Sequence, residues 1–296
     1  ATNKENPPLK ISPSTGLIGI AYKMPIASAQ VKSSILLAGL NAEGKTQVQE
    51  KFPTRDHTER MMKTFEANIS FSKGNVEIEK SDLKTPGQIE VPGDFSSAAF
   101  FIGACLISED SEIKIKNVGI NKTRKAFLDC LLDMNANIDL ANIRQLGNEE
   151  VADLVIKSSD LLPAKIMEDI VPNLIDELPL FFLIASMIEG ESEFNGLSEL
   201  KHKESDRLSI MINNLQKLDV EVQLNEDSLK IIGKKDRIFS DEEFDSHGDH
   251  RIAMTMLVAG LRSSEGLIVN NVDCINTSFP EFIDQAKTLG FNFKNG

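Results

Sequence analysis

One stretch of the chain concentrates charged side chains where an amphipathic helix is predicted to begin. Residues 203–208 read Lys-Glu-Ser-Asp-Arg-Leu, which places two cations and two carboxylates within five residues. If Ser205 or a neighbour caps the helix, Lys203 and Arg207 lie on one helix face and can bind one anionic group together. Glu204 would then lie beside these cations, available for proton transfer. The alternative is a solvated helix start with an ion pair between residues three apart.

Two earlier segments also place polar groups at predicted helix starts. Ser28 and Gln30 precede an apolar helix and could hold a polar ligand through neutral hydrogen bonds, although Ser28 could equally be a plain N-cap. Arg55 lies at the entrance of an amphipathic helix, where it could bind phosphate or carboxylate. The alternative for this segment is a capping box formed with Asp56 or Thr58.

Two later segments repeat this arrangement before apolar helices. Asp176 and Glu177 immediately precede a helix that is almost wholly apolar, and an N-cap role for Asp176 would explain only one of the two acids. Gly248 allows close backbone approach just before Arg251, whose guanidinium can bind an anion through two parallel hydrogen bonds.

Together these segments predict an enzyme or a binder of small phosphorylated anions. Asp176 and Glu204 would be the acid–base pair, because no Ser/His or Cys/His nucleophile arrangement is evident. Helix N-termini favour anions, and the positive charge would come from Arg55, Lys203, Arg207 and Arg251.

Composition excludes several classes of protein. A net charge of −13 argues against non-specific nucleic-acid binding, which needs a basic surface. The longest apolar run, residues 178–188, is too short to cross a bilayer, and the start of the chain carries no signal peptide. The three cysteines are odd in number and far apart, which favours a reducing compartment. We therefore expect a cytoplasmic protein without nucleic-acid or membrane partners.

A helix–strand–helix–strand pattern recurs along the chain. The helices end alike in each copy, for example Asn-Ala-Asn-Ile at residues 135–138 and Gly-Phe-Asn-Phe at residues 290–293. Four copies predict a repeated α/β (α+β) architecture. Apolar helices are expected to start near Ser28, Ser96, Glu177 and His250, and amphipathic helices near His57, Thr123, Ser205 and Pro280.

A segment rich in Pro and Gly, residues 84–94, is the best domain boundary. It predicts a partial first domain, residues 1–91, with one copy, and a second domain, residues 92–296, with three. Because one copy cannot bury both faces of its sheet, we expect part of the first domain to be missing. The first fifteen residues are predicted to be irregular.

At these residues the sequence resembles the 5-enolpyruvylshikimate-3-phosphate synthase family. Matching segments follow the family order and span nearly the whole chain. They are Pro-Ile-Ala-Ser-Ala-Gln-Val-Lys-Ser (25–33), Thr-Arg-Asp-His-Thr-Glu-Arg (54–60), Pro-Gly-Asp (92–94) with Ser-Ser (96–97), Asn-Lys-Thr-Arg (121–124), Asp-Glu-Leu-Pro (176–179), Lys-Glu-Ser-Asp-Arg-Leu (203–208), Gly-Asp-His-Arg-Ile-Ala-Met (248–254) and Thr-Ser-Phe-Pro (277–280).

The resemblance implies an enolpyruvyl transferase-like inside-out α/β barrel. Family members have two domains, each built from three βαβαββ units, with the active site in the cleft between them. About four of the six units can be counted here, so the N-terminal third, with its phosphoenolpyruvate-binding segments, is expected to be absent. The chain alone is therefore expected to show no turnover, whereas the parent chain would be active.

The resemblance also implies a reaction of the shikimate pathway of aromatic amino acid biosynthesis. The enolpyruvyl group of phosphoenolpyruvate passes to the 5-hydroxyl of shikimate 3-phosphate, and phosphate is released. Asp176 would accept the hydroxyl proton, and Glu204 would deliver and later remove the proton at the methylene carbon. The implied shikimate 3-phosphate ligands are Ser28, Ala29, Gln30, Arg55, Asp176 and Lys203, and the phosphoenolpyruvate ligands are Gln30, Arg207 and Arg251.

No metal or organic cofactor is implied, and a monomer is expected. Some family members carry Lys where Thr277 stands, so that position receives no cation. Two alternatives remain: a non-catalytic phosphate-binding fragment, and the related transferase that acts on UDP-N-acetylglucosamine. The Arg-Asp-His-Thr-Glu segment at residues 55–59 favours the shikimate enzyme over the second alternative.

Overall fold

The computed structural model describes residues 16–235, 237–239 and 242–294, so the irregular segment predicted at the start lies outside the described residues. The chain divides into two compact units, residues 1–89 (unit 1) and 90–296 (unit 2). The predicted domain boundary between residues 91 and 92 stays a prediction. Helices and strands alternate in both units, in agreement with the predicted α/β class.

Unit 1 contains one four-stranded sheet with the order β2-β4-β6-β5, in which β2 and β4 are parallel and the other neighbours antiparallel. Alternate residues of β4 and β6 are buried, which gives this sheet one apolar face. The elements of unit 1 are β1 (Leu17–Ile18), β2 (Ala21–Lys23), α1 (Ala29–Gly39), β3 (Ala42–Glu43), β4 (Lys45–Gln49), α2 (His57–Thr64), β5 (Ile69–Ser72) and β6 (Asn75–Glu79).

The described part of unit 2 contains six α-helices with strands between them. They are α3 (Phe95–Ile107), β7 (Glu112–Gly119), α4 (Ala126–Asp133), β8 (Asn137–Leu146), β9 (Glu149–Lys157), β10 (Lys165–Ile166), α5 (Leu178–Ser186), β11 (Gly190–Phe194), α6 (Arg207–Lys217), β12 (Glu221–Asn225), β13 (Ser228–Gly233), β14 (Glu243–Asp245), α7 (His250–Ala259), β15 (Ile268–Asn270) and α8 (Phe282–Thr288). Short 3₁₀ helices cover Val171–Asn173, Ser198–His202, Gly260–Arg262 and Val272–Thr277.

Strand order confirms the predicted repetition. The sheet β10-β11-β13-β12 has the same order and the same strand directions as β2-β4-β6-β5. The sheet β7-β9-β8 keeps the antiparallel part, and a parallel bridge from Gly93 to Val118 replaces its first strand. In the fourth copy β14 and β15 pair in parallel. The described residues therefore contain four related βαβα units.

The second helix of every copy ends in the same hydrogen-bonded turn. The residue after each C-cap has a left-handed backbone, with φ of 59° at Glu66, 70° at Asn135, 56° at Asp219 and 98° at Gly290. The next amide donates to the carbonyl five residues back, from Ala67 to Met62, Ala136 to Leu131, Val220 to Leu215 and Phe291 to Ala286. This Schellman turn explains why the four helix ends resemble one another in sequence.

The apolar helices α3, α5 and α7 pack on one another in the centre of unit 2. Every residue of α5 is buried, as expected for a helix that is apolar on all sides. Gly103 permits the close approach of α3 to α5, because a Cβ there would lie 2.9 Å from Leu180 Cδ1. The amphipathic helices α4, α6 and α8 each bury one face against this centre. The N-termini of the central helices are thereby fixed in place.

Candidate active site

Helix α6 begins later than the sequence predicted. Asp206 is its N-cap, and its Oδ1 accepts a hydrogen bond from the Ser209 amide at 3.1 Å. Lys203 therefore lies outside the helix, on extended backbone. The cap is thus a neighbour of Ser205, which agrees with the predicted capping by Ser205 or a neighbour. The prediction that Lys203 and Arg207 share a helix face is wrong, because the helix begins only after Lys203.

Arg207 is fully buried and lies among three carboxylates. Its Nε donates to Asp249 Oδ2 at 2.8 Å, its Nη1 to Asp176 Oδ1 at 3.3 Å and its Nη2 to Glu204 Oε2 at 2.6 Å. The Glu204 side chain is 55% exposed. The ion pair between residues three apart, which was the alternative interpretation of this stretch, is thus present, and it forms part of a larger cluster.

Asp249 joins two helix starts. It is the N-cap of α7, where its Oδ1 accepts from the Arg251 amide at 2.9 Å, and its Oδ2 accepts from Ser205 Oγ at 3.0 Å. Burial alone would raise the pKa of Asp249, but the hydrogen bond and charge of Arg207 outweigh it, so the pKa is lowered. The pKa of Arg207 is raised in turn, since its carboxylate neighbours outweigh its own burial. Both groups are therefore charged in the folded protein.

Three guanidinium groups surround Asp176. Besides Arg207, Arg124 Nη1 lies 3.6 Å and Arg251 Nη2 3.8 Å from Asp176 Oδ2, and Arg251 Nη1 donates to the Asp176 carbonyl oxygen at 3.1 Å. Asp176 is not the N-cap of α5; Glu177 occupies that position and makes no side-chain capping bond. Pro179, in the first turn, has no amide hydrogen to donate to a cap.

Ser96 and Glu177 are buried and contact Arg124. Ser96 Oγ donates to Glu177 Oε1 and accepts from Arg124 Nη2. Burial raises the pKa of Glu177, although Arg124 and Arg251 lie 3.8 and 3.7 Å from its Oε1 and act in the opposite direction. Glu177 Oε2 is buried and has no hydrogen-bond partner among the described residues. The Glu177 carboxyl group is thereby held within 3.8 Å of both Arg124 and Arg251.

The three central helices of unit 2 all begin at this cluster. Their N-caps are acidic: Asp94 for α3, Glu177 for α5 and Asp249 for α7. Arg124 Nη2 lies 3.7 Å from Asp94 Oδ1. Burial raises the pKa of Asp94, but the charges of Arg124 and Arg251 and the hydrogen bonds from Ser97 together lower it. We call the group the carboxylate–arginine cluster; its members are Asp94, Arg124, Asp176, Glu177, Glu204, Arg207, Asp249 and Arg251.

Sequence reasoning gave no role to three members of the cluster, Asp94, Arg124 and Asp249, or to Ser96 beside them. All four lie in segments that carry the family resemblance. The internal repeat contained the signal for the arginine: Arg55 and Arg124 stand two residues before α2 and α4, and Arg207 is the first residue of α6. An arginine close to the start of the second helix in three copies indicates a shared purpose better than any single copy does.

In unit 1 the predicted polar segment lies at the start of α1. Ser28 is the N-cap, and its Oγ accepts from the Val31 amide at 3.3 Å, which confirms the capping alternative. Gln30 lies in the first turn and is exposed. Its Oε1 lies 3.4 Å from Ser28 Oγ. Ala29 is the first helical residue. The hydroxyl and the amide therefore occupy neighbouring positions at one helix N-terminus.

A buried lysine orders the segment before Arg55. Lys32 Nζ lies 2.7 Å from Glu59 Oε1 and 3.1 Å from Glu50 Oε2, and it donates to the Thr54 carbonyl at 3.3 Å. Arg55 follows directly and is half-buried. The predicted capping box is absent here.

At the N-cap of α2, Asp56 makes no side-chain capping bond. Its Oδ1 accepts instead from Arg60 Nε at 2.8 Å.

Within the described residues, no group of three or more His, Cys, Asp or Glu side chains is arranged to hold a metal ion. None of the helices in the described part of the chain is both long enough and apolar enough to cross a membrane.

Comparison with known proteins gives one consistent match. The profile of the EPSP synthase (3-phosphoshikimate 1-carboxyvinyltransferase) family matches residues 1–286. A 3-phosphoshikimate 1-carboxyvinyltransferase of Magnetococcus marinus is 44% identical over 95% of this chain and 63% of the relative. The corresponding protein of Hydrogenovibrio crunogenus is 45% identical over 97% of this chain and 65% of its own length. The chain thus spans less than two thirds of these curated relatives.

Solved structures agree with the sequence match. An EPSP synthase from Acinetobacter baumannii superimposes with a TM-score of 0.86 at 41% identity, covering 94% of this chain and 64% of that one. The enolpyruvyl transferase NikO from Streptomyces tendae has the same fold, with a TM-score of 0.76 at 15% identity. These likenesses confirm the predicted enolpyruvyl transferase fold, and the chain belongs to the EPSP synthase family.

Proposed function

We propose that the protein containing this chain transfers the enolpyruvyl group of phosphoenolpyruvate to the 5-hydroxyl of shikimate 3-phosphate and releases phosphate. Membership of the family and the names of the relatives support this reaction. The observation that carries the proposal is the position of Asp176, with three guanidinium groups within 3.3 to 3.8 Å of its carboxylate. An acid–base group and anion-binding cations thus occupy one place in unit 2.

Asp176 and Glu204 divide the proton transfers. As the 5-hydroxyl oxygen bonds to C2 of phosphoenolpyruvate, Asp176 accepts the hydroxyl proton, and Glu204 supplies a proton to the methylene carbon C3. In the second step Glu204 removes a proton from C3 while the bond from C2 to the phosphate oxygen breaks, which restores the double bond in the product. Glu204 suits this exchange because its carboxylate is half exposed and is oriented by Arg207 at 2.6 Å.

Arg207 and Arg251 are proposed to hold the carboxylate and phosphate of phosphoenolpyruvate. The donors of Arg207 face Asp249, Asp176 and Glu204, so an incoming anion would share Nη1 and Nη2 with the last two while Nε stays on Asp249. A guanidinium can bind carboxylate and phosphate through paired hydrogen bonds, which suits this role. The helix N-termini at the cluster add further attraction for anions.

The remaining ligand roles stay predictions from the resemblance. Ser28, Ala29, Gln30 and Arg55 would hold shikimate 3-phosphate, and Gln30 would also contact phosphoenolpyruvate. Lys203 would lie on the shikimate phosphate side. Ser28, Ala29 and Gln30 lie at the start of α1, and Arg55 lies just before α2, which supports anion or hydroxyl binding without identifying the ligand. Lys203 lies outside α6, on extended backbone.

Asp176→Asn tests the reaction. Phosphate release by the parent protein that contains this chain is measured with both substrates present and with shikimate 3-phosphate omitted. We expect release that needs both substrates and falls by about 10²- to 10⁴-fold in the variant, the usual contribution of a general acid–base group. The control is Asp129→Asn, which removes an ion pair with Lys125 at the start of α4 and should keep wild-type turnover.

Three results would contradict the proposal: no phosphate release, release with UDP-N-acetylglucosamine as the acceptor instead, or unchanged turnover in Asp176→Asn. Substrate binding in calorimetry without release would favour the non-catalytic alternative.

We also propose that the enzyme acts in the cytoplasm and that it is a monomer. Light scattering of the purified protein tests the monomeric state. The three unpaired cysteines agree with a reducing compartment.

A further inference from the structure

Arg124 belongs to the carboxylate–arginine cluster but has no part in the chemistry proposed above. It lies between β7 and α4, and its side chain is only 11% exposed. Its Nη1 lies 3.6 Å from Asp176 Oδ2, which makes it a direct neighbour of the proposed base. A buried arginine at this position needs an explanation beyond general attraction for substrate.

Hydrogen bonds through Ser96 to Glu177 fix the guanidinium of Arg124. Its Nη2 donates to Ser96 Oγ, and the Ser96 hydroxyl donates in turn to the buried Glu177 carboxylate. Ser96 belongs to α3 and Glu177 caps α5, so two packed helices set the position of the Arg124 fork. Because the fork is planar, fixing Nη2 also fixes the direction of Nη1.

Nη1 of Arg124 points at one oxygen of Asp176. Arg207 Nη1 faces the other oxygen, Oδ1, at 3.3 Å, so the carboxylate is held from both sides. Without Arg124, the guanidinium of Arg251, at 3.8 Å, would remain near Oδ2 among the described residues. The carboxylate could then rotate about its χ2 torsion, which is broad for Asp.

We propose that Arg124 is a positioning residue that, together with Arg207, holds the Asp176 carboxylate in the orientation needed to accept the substrate proton. This inference rests on the proposed function. Arg124 acts through Asp176 and needs no contact with substrate. Small displacements of a reacting group can cost about 100-fold in rate, so the effect should be large in kcat.

Two variants of Arg124 test the proposal. Arg124→Gln removes the charge and the fork, and Arg124→Lys keeps the charge but cannot reach Ser96 and Asp176 with separate donors. We expect kcat to fall by about 10- to 100-fold in both, with the KM of phosphoenolpyruvate changed by less than about 3-fold. Added methylguanidine should restore part of the kcat of Arg124→Gln and none of that of Asp176→Asn.

The matched control is Arg144→Gln, an exposed arginine on β8 whose Nη1 donates to the Asn142 carbonyl at 3.1 Å. It should keep wild-type kcat and show no response to methylguanidine. Thermal melting of every variant shows whether it is folded, and Arg124→Lys, which keeps the buried charge, provides the kinetic result if Arg124→Gln does not fold.

The outcomes separate the inference from the proposed function. If Asp176→Asn loses turnover while both Arg124 variants keep wild-type kcat, or lose activity only through KM, the positioning role is wrong and the proposed function stands. If the wild-type protein releases no phosphate, or Asp176→Asn remains active, the proposed function is wrong, and the positioning role is wrong with it. Loss of kcat at steady KM together with guanidine rescue supports the inference.

Discussion

Arg207 Nε donates to Asp249 Oδ2 at 2.8 Å, and the side chains of both residues are fully buried. This bond, with a longer one of 3.4 Å from Nη2 to Asp249 Oδ1, joins the first residue of α6 to the N-cap of α7. Nη1 and Nη2 of Arg207 also donate to Asp176 and Glu204. The pair thus anchors the proposed phosphoenolpyruvate-binding arginine through its Nε.

Removing Asp249 should destabilise the fold. Asp249→Ala leaves the buried Arg207 charge without its nearest partner and removes the cap of α7, so the free energy of unfolding should fall by about 3 to 5 kcal/mol. Denaturant unfolding followed by circular dichroism measures the change. Glu191→Ala, which breaks an exposed pair with Lys230, should change it by no more than about 1 kcal/mol. Equal effects of the two variants would contradict the anchoring role.

The same pair predicts a pH dependence of stability. Because the pKa of Asp249 is lowered on folding, its contribution is present above the ordinary carboxyl pKa of about 3.9 and is lost as the pH falls through the depressed value. Asp249→Asn should therefore lose stability less steeply than wild type below about pH 4. Unfolding midpoints measured across this range test it, and parallel profiles for the two proteins would show that Asp249 does not titrate as proposed.

The Schellman turns predict substitutions of opposite sign. Asp219 has a left-handed backbone where the fourth copy has Gly290, so Asp219→Gly should stabilise unit 2 by about 1 kcal/mol. Asp284→Gly, within α8, should destabilise it by a similar amount, about 1 kcal/mol, because glycine is unfavourable inside a helix. Thermal melting of the two variants measures these changes in stability. A lower melting temperature for Asp219→Gly would contradict the prediction that the left-handed backbone is unfavourable for Asp219.

Glu204→Ala should reduce turnover of the protein that carries this sequence by about 100-fold or more, because the proton at C3 would lack its donor and acceptor. Glu204→Gln should be similarly slow, since an amide cannot exchange the proton. Glu221→Ala, an exposed carboxylate on β12, is the control and should be unaffected. Near-normal turnover of Glu204→Ala would remove Glu204 from the mechanism.

The cysteines should differ in reactivity. Burial raises the pKa of Cys105 to about 11 and that of Cys130 to about 12, so few thiolates are available at neutral pH. Cys274 is only half-buried. A chromogenic disulfide reagent at about pH 8 should therefore label Cys274 first and the other two only after unfolding. In a Cys274→Ser variant the fast phase should vanish; labelling of Cys105 at the same rate would contradict this assignment.

Local patterns in the sequence were enough to predict the eight helices and their fourfold repetition. The apolar helices α3 and α5 contain almost no polar positions, and the amphipathic helices end in a turn that demands a left-handed residue, so both types are recognisable without tertiary contacts. The charged helix starts at Asp176, residues 203–207 and Arg251 stood out for the same reason. Their separate roles in the reaction came from the resemblance to the family.

Only the tertiary structure decided which charged groups meet. Asp206, a neighbour of Ser205, became the cap of α6 and left Lys203 outside the helix, and Glu177, rather than Asp176, became the N-cap of α5. Arg124 and Asp249 entered the cluster, and Ser96 lies beside it, because the packing of α3, α5 and α7 brings together helix starts that are up to 155 residues apart (Asp94 to Asp249) in sequence. Helix starts are set by local capping, but contacts between distant side chains depend on packing, which no local pattern contains.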